Sequence, residues 1–262
     1  MTRTMCDRIL LGLALCLFAA ATAISAPKPQ PPQSMPEKQP AIYTYVSLFG
    51  VPRANWGEYE KSEEKSNKNF QSLVTDGTLV SWGSAAVEVH EGNDAPNYVS
   101  WFSSTSIAGI LKALESVRTN APPAANINYT MHADELTMSR NYNMKGGAAA
   151  KYLVVQNWKV KMGHGDDMDE LFNKHRKAGL DAMVADGTIN GYSMEEDLIH
   201  TGPPGFVSLV VEFPNAESID KFYASIDSLH EKDPLFGVAF TSVQEPSEHR
   251  DHLLRVISSG HK

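Results

Sequence analysis

The chain has 262 residues, of which 42% are hydrophobic and 21% charged, with a formal net charge of -8. That balance excludes a disordered or fibrous protein and leaves room for one large core or two small ones. The acidic surplus argues against nucleic acid or an anionic membrane as a partner, since both demand basic surface.

Residues 1–23, MTRTMCDRILLGLALCLFAAATA, read as a secretory signal peptide: Arg3 and Arg8 precede an apolar run from Ile9 to Ala21 that is too short to span a bilayer comfortably. Cleavage after Ala23 satisfies the small-x-small rule through Ala21 and Ala23, with Ser25 and Ala26 as nearby alternatives. Both cysteines, Cys6 and Cys16, lie in the segment to be removed, so the mature chain has no disulfide, thiolate metal ligand or cysteine nucleophile. Loss of Arg3, Arg8 and Asp7 takes the net charge from -8 to -9. The expected location is secreted or periplasmic, with no membrane attachment after cleavage. Residues 24–41 form a proline-rich linker, in which 27–40 hold six prolines in fourteen positions and predict an extended, unpacked spacer.

From there the chain repeats itself. VTDGT at 74–78 returns as VADGT at 184–188, YTYVSLFGV at 43–51 falls on YLVVQNWKV at 152–160, and YVSWF at 98–102 falls on FVSLV at 206–210. Each copy reads strand, polar-rich helix, DGT turn, strand, strand, helix and a last extended segment. In DGT the glycine takes positive φ to stop the helix and the threonine begins a strand, so the pentamer is structural punctuation. The order β-α-β-β-α-β is the ferredoxin-like unit, with helices on one face of an antiparallel sheet. Two tandem copies, 42–145 and 151–245, can cover each other's bare faces, which predicts an α+β chain packed as an intramolecular two-sheet barrel. Residues 246–262 remain as a C-terminal tail with helical character, and the chain is expected to be a monomer or a weak homodimer.

Strand alternation assigns faces. Tyr43, Tyr45, Ser47 and Phe49 match Tyr152, Val154, Gln156 and Trp158, and Tyr98, Ser100 and Phe102 match Phe206, Ser208 and Val210, followed by Glu212. The opposite face, with Val99, Trp101, Val207, Leu209, Val211 and Phe213, is apolar and suits packing under helices. An aromatic face sprinkled with small polar groups is how a lined pocket reads in sequence, and equally how a polar-spotted filled core reads. The pocket reading makes Tyr43, Tyr98, Gln156, Trp158, Ser208 and Glu212 contacts for a small molecule between the two sheets.

In DDMDELFNKHRKAGLDAMVADG, Met168, Leu171, Phe172, Gly179, Ala182 and Met183 form one apolar stripe at 100° per residue, with His175 at its centre. A histidine there is either a core group satisfied by backbone or a functional one. The run HRKAGLDAMVADGTINGY, with GFVSLVVEFPNAESIDKFYA and DPLFGVAF, resembles the YCII-related family of the dimeric α/β-barrel superfamily over about residues 151–245. The resemblance implies a DP pair before the last strand and a catalytic His-Asp pair at His175 and Asp233. There the carboxylate would fix the imidazole tautomer and leave the other nitrogen to take a proton; the alternative reading of Asp233 is a helix-ending Asp-Pro turn.

Elsewhere, His249, Asp251 and His252 have metal-like spacing, matched in the first copy by His132 and Asp134, but the expected setting is a solvated terminal helix and no metal site is predicted. His164, Gly165 and Asp166 read as a loop with Asp166 capping the next helix. No phosphate loop or nucleophile elbow occurs, and no cofactor is expected. The reading is an exported barrel that binds a small molecule. Its alternatives are a YCII-like enzyme with a His-Asp dyad, or a cofactor-free or haem monooxygenase-like barrel, the latter only by membership of the superfamily.

Overall fold

The computed structural model describes residues 39–89, 95–120, 126–145, 149–200 and 204–262. The signal-peptide segment, both cysteines and the linker up to residue 38 lie outside the described residues. Gln39 and Pro40, the end of the linker, are tied to Tyr142: its carbonyl accepts from Gln39 Nε2 at 3.2 Å and its hydroxyl donates to the Pro40 carbonyl at 3.1 Å.

Repeat 1 runs β1 (Ile42–Gly50), α1 (Trp56–Thr75), β2 (Ser81–Val87), β3 (Tyr98–Ser104), α2 (Ile107–Asn120) and β4 (Met131–Met144). Repeat 2 runs β5 (Tyr152–Lys159), α3 (Gly165–Leu171), a π-helical turn (Phe172–Arg176), α4 (Lys177–Asp186), β6 (Gly191–Ile199), β7 (Phe206–Phe213), α5 (Ala216–Lys232), α6 (Pro234–Ser242) and β8 (Arg250–His261). The DGT turns behave alike. Gly77 and Gly187 sit at φ 81° and 79°, where a side chain is strained. Asp76 and Asp186 each accept the backbone N–H two residues on, at 2.9 and 2.8 Å.

The eight strands close into one antiparallel barrel in the order β1-β3-β2-β8-β5-β7-β6-β4. Each repeat contributes a four-stranded sheet, β4-β1-β3-β2 or β8-β5-β7-β6, and the edges meet as β2 with β8 and β6 with β4. Closure leaves no unpaired edge. This is the expected α+β tandem barrel. Among the described residues no helix is long and apolar enough to cross a membrane.

The tail proved different. Residues 250–261 are not helical but form the closing strand, and the DPLFGVAF run is not a strand but helix α6. Pro234, lacking an N–H, sits in the first turn of α6. Phe236 and Phe240, four apart, meet at 5.4 Å as helical neighbours. In β8, Leu254 and Val256 alternate into an all-strand cluster with Ala85, Val87, Leu153, Val99, Trp101 and Val155. That cluster is the apolar filling of the barrel interior, where Gly83 leaves room for the Trp101 indole: a Cβ there would stand 2.2 Å from the ring.

In β1, β3 and β5 the faces are reversed from the alternation reading, whereas β7 faces as expected, with Leu209, Val211 and Phe213 under helices. Val154, Trp158, Leu209, Val211 and Phe213 pack with Met168, Phe172, Leu180, Val184 and Phe222 of the helices, and Tyr43, Tyr45 and Phe102 pack with Phe70, Leu73 and Ile110. The aromatic face of β1, β3 and β5 thus lies under helices, whereas Val99 and Trp101 point into the barrel. The interior of an eight-stranded barrel is just wide enough for side chains to fill it, and it takes Trp101 where Gly83 faces the ring, whereas the helix layer takes Tyr43, Tyr45, Phe102 and Trp158.

Candidate functional site

The helix of repeat 2 holds one residue more than its counterpart. α1 and α3 begin 109 positions apart, as do the matched strand residues Phe49 and Trp158, yet Asp76 and Asp186 of the two turns are 110 apart. The extra residue is accommodated as the π turn at Phe172–Arg176, which α1 lacks. It rotates everything after it. The buried positions are Met168, Phe172, Arg176, Leu180 and Val184, whereas Gly179 and Ala182 of the expected stripe are exposed. Arg176 therefore takes the inward place that an uninterrupted helix gives to His175.

His175 is turned sideways to α6. Its Nδ1 lies 3.1 Å from Asp233 Oδ2, with the side chains 14% and 36% exposed. Asp233 stands between α5 and α6 and makes no side-chain capping bond, so its carboxylate is available to the imidazole. The ring of Phe236 lies 5.1 Å from that of His175 and 5.8 Å from that of His230. The two residues singled out by resemblance are thus in contact, at the outer side of the helix layer.

Under the same layer lies a second constellation, buried at Arg176 and Gln156 and exposed at its Asp251 and His249 end. Arg176 Nη2 donates to Gln156 Oε1 at 3.4 Å, and Gln156 Nε2 donates to Asp251 Oδ2 at 3.4 Å. Asp251 Oδ1 is 3.0 Å from His249 Nε2, and the His249 ring lies parallel on Trp158 at 5.5 Å. Burial pulls the Arg176 guanidinium down to about 10, against an opposing pull from Asp251 and Tyr223. Repeat 1 carries the same figure: His132 Nε2 is 3.0 Å from Asp134 Oδ1, its ring lies parallel on Phe49 at 4.7 Å, and Ser47 donates to Asp134 at 2.7 Å. His249 thus stands just before β8 and Asp251 at its start, not on a terminal helix. Among the described residues no group of three or more His, Cys, Asp or Glu is placed to hold a metal.

The pocket expected between the sheets is divided by the sheet itself. Gln156 and Trp158 face the helices, but Ser208 stands opposite Asn157 and Glu212 opposite Leu153, both on the interior side. The FVSLV match is one residue out of register: Trp158 pairs with Val207 as Phe49 pairs with Tyr98. Ser208 donates to Asn157 Oδ1. Tyr98 is core, packed on Tyr59 at 4.4 Å with its hydroxyl donating to Glu60 at 3.3 Å, and Tyr43 is packed against the repeat 1 core. The Glu212 side chain, 7% exposed as a residue, has no hydrogen-bond donor among the described residues, and burial pushes its carboxyl up to about 7. Glu195, also turned inward, accepts from Thr137 and Ser193 at 2.7 Å each; burial raises it too, against those bonds.

Arg176 is the residue that pattern reading missed, and the two His-x-Asp pairs were noted only as a solvated, metal-like spacing. The signal for the pairs was their recurrence at the same place in both repeats. For Arg176 it was the change of spacing from 109 to 110 between strand and turn.

The chain matches no protein-family model and no curated protein in sequence. In three dimensions it is similar to a Lactobacillus acidophilus protein provisionally described as a monooxygenase, with TM-score 0.55, 11% identity, and 86% of this chain and 97% of that one covered. A Fusobacterium nucleatum protein with the same provisional description gives TM-score 0.55 and 10% identity over 86% and 95%. An anthrone oxidase-like protein gives 0.51 and 12% over 85% and 94%. At such identities the likeness establishes the fold, a dimeric α/β barrel made within one chain.

Proposed function

We propose that this barrel acts on a small organic molecule at the helix layer of repeat 2, by general-base chemistry at His175. The observation that carries the reading is the 3.1 Å approach of His175 Nδ1 to Asp233 Oδ2. With one imidazole nitrogen engaged by a carboxylate, Nε2 is left to accept a substrate proton. The π turn supports this, because it turns the imidazole out of the core toward a half-exposed partner. The resemblance to the YCII-related family points to the same two residues.

One structural neighbour, described as anthrone oxidase-like, suggests a substrate type to try: a weakly acidic ketone or phenol whose anion reacts directly with dioxygen. For anthrone, His175 would take the ring C–H proton, and the carbanion would give two electrons to dioxygen; overall, anthrone and one O2 yield anthraquinone and one water. The test follows oxygen uptake and anthraquinone absorbance with anthrone and a panel of acidic ketones and phenols. His175→Ala should lower the rate by roughly 10²–10⁴-fold, and Asp233→Asn by less. A His175→Ala protein that reacts at the wild-type rate, or a wild-type protein inert across the panel, refutes the proposal.

We also propose export, on the strength of the leader at 1–23. An intact mass of the native protein should lack the first 23 to 26 residues; a full-length mass from the cytoplasm is the refuting result.

A further inference from the structure

Arg176 is 8% exposed, yet its one hydrogen bond among the described residues is long, 3.4 Å to an amide oxygen, and it forms no ion pair among them. Its guanidinium carbon stands 5.9 Å from the Phe222 ring centroid. A guanidinium has five donors, and burying its charge costs several kcal/mol unless geometry and partners compensate. The partner at hand is a neutral amide. Gln156 holds Asp251 off, since its Nε2 donates to that carboxylate while its Oε1 accepts from Arg176.

Repeat 1 shows the same scaffold without the cation. There Ser47, in the place of Gln156, donates directly to Asp134 at 2.7 Å, and the positions matching Arg176 on either side of the one-residue slip are Ser66 and Asn67. Repeat 2 thus differs by three linked changes: a longer side chain on the strand, an inserted residue in the helix, and a buried guanidinium that the insertion brings onto the new side chain. A guanidinium held on one edge by an amide, with an aromatic face beneath it, is a half-built carboxylate receptor.

We propose that Arg176, braced by Gln156 and backed by Phe222, recognises the carboxylate of a small organic acid. One cation fixes the class. Asp251, with its side chain 37% exposed at the margin, sets the site against dianions such as phosphate esters, whereas a monocarboxylate matches a single planar fork. The assignment deepens the reading of repeat 2 as a small-molecule site and rests on it for the place of reaction, but binding is measured without turnover.

The full chain, labelled with 15N-arginine, is titrated with acetate, benzoate and phenylacetate, with benzamide as the neutral control. Calorimetry gives affinity, and the guanidinium Nε–H resonance of Arg176, identified by its absence in Arg176→Lys, reports the contact. At least one carboxylate should bind saturably and shift that resonance, benzamide should not, and Arg176→Met should weaken binding by about tenfold or more. Should Arg176→Met not fold, the wild-type resonance decides alone. No resonance shift with any carboxylate, equal binding of benzamide, or undiminished binding by Arg176→Met overturns the site. Carboxylate binding that persists in His175→Ala while turnover is lost separates this site from the base chemistry; loss of binding in Arg176→Met with intact base chemistry on neutral substrates limits Arg176 to recognition.

Discussion

Replacing Glu212 by glutamine should stabilise the protein at alkaline pH and leave it nearly unchanged at acid pH. The carboxyl faces the barrel interior between Leu153 and Gly191, 7% exposed, and burial moves it from the ordinary glutamate value of 4.5 to about 7. Because the folded state holds the proton more tightly than the unfolded chain, unfolding free energy falls as pH rises from about 4.5 through about 7, and above that the penalty is complete. At 1.36 kcal/mol per unit, the shift amounts to about 3 kcal/mol. Glutamine keeps the shape and has no charge to bury. Glu63, also raised to about 7 by burial, titrates in the same window, so the mutant is compared with wild type at each pH and not across pH alone. Urea unfolding of both proteins at pH 5 and pH 8 is the assay: the difference should be within about 1 kcal/mol at pH 5 and about 3 kcal/mol in favour of Glu212→Gln at pH 8. An equal difference at the two pH values refutes the buried-carboxyl argument.

Two further substitutions test backbone and packing. Gly187→Ala, at φ 79° with the flexible Lys145 Nζ 3.9 Å from the added methyl, should cost about 1 kcal/mol by chemical denaturation from conformational strain, and no loss would deny the left-handed helix end. Gly83→Ala puts a methyl 2.2 Å from the Trp101 indole and should cost about 1–3 kcal/mol, with a change in near-UV circular dichroism as the ring shifts; a neutral effect would mean that Trp101 does not fill the barrel.

The architecture was legible because it is written in turns. DGT twice fixes two helix ends, and the matched first strands fix the order of the elements around them. The closing strand was hidden because its polar start, EHRDH, breaks the alternation that Leu254 and Val256 later show, and because the resemblance put the last strand directly after Asp233-Pro234, where α6 stands. Facing was misjudged in β1, β3 and β5 for a physical reason. Alternation separates two sides of a strand but does not say which is under a helix, and in a closed barrel both sides are buried. Bulk was a partial clue: Tyr43, Tyr45, Phe102 and Trp158 belong to the helix layer, whereas Trp101 enters the interior where Gly83 faces its ring.

The site was legible only where chemistry names itself. His175 and Asp233 could be paired by resemblance, but the reason they meet is the π turn, and a helical wheel drawn at 100° per residue conceals such a turn. Drawn that way, the wheel places His175 inward and makes Arg176 an ordinary surface cation. One inserted residue moves the two round the helix: the imidazole goes to the margin, where an exposed carboxylate meets it, and the guanidinium goes to the floor, where an amide meets it. The spacing difference between the repeats is therefore not noise in a decayed duplication. It marks the half that departed from the common scaffold, and it does so at the two consecutive residues to which base chemistry and substrate recognition are assigned.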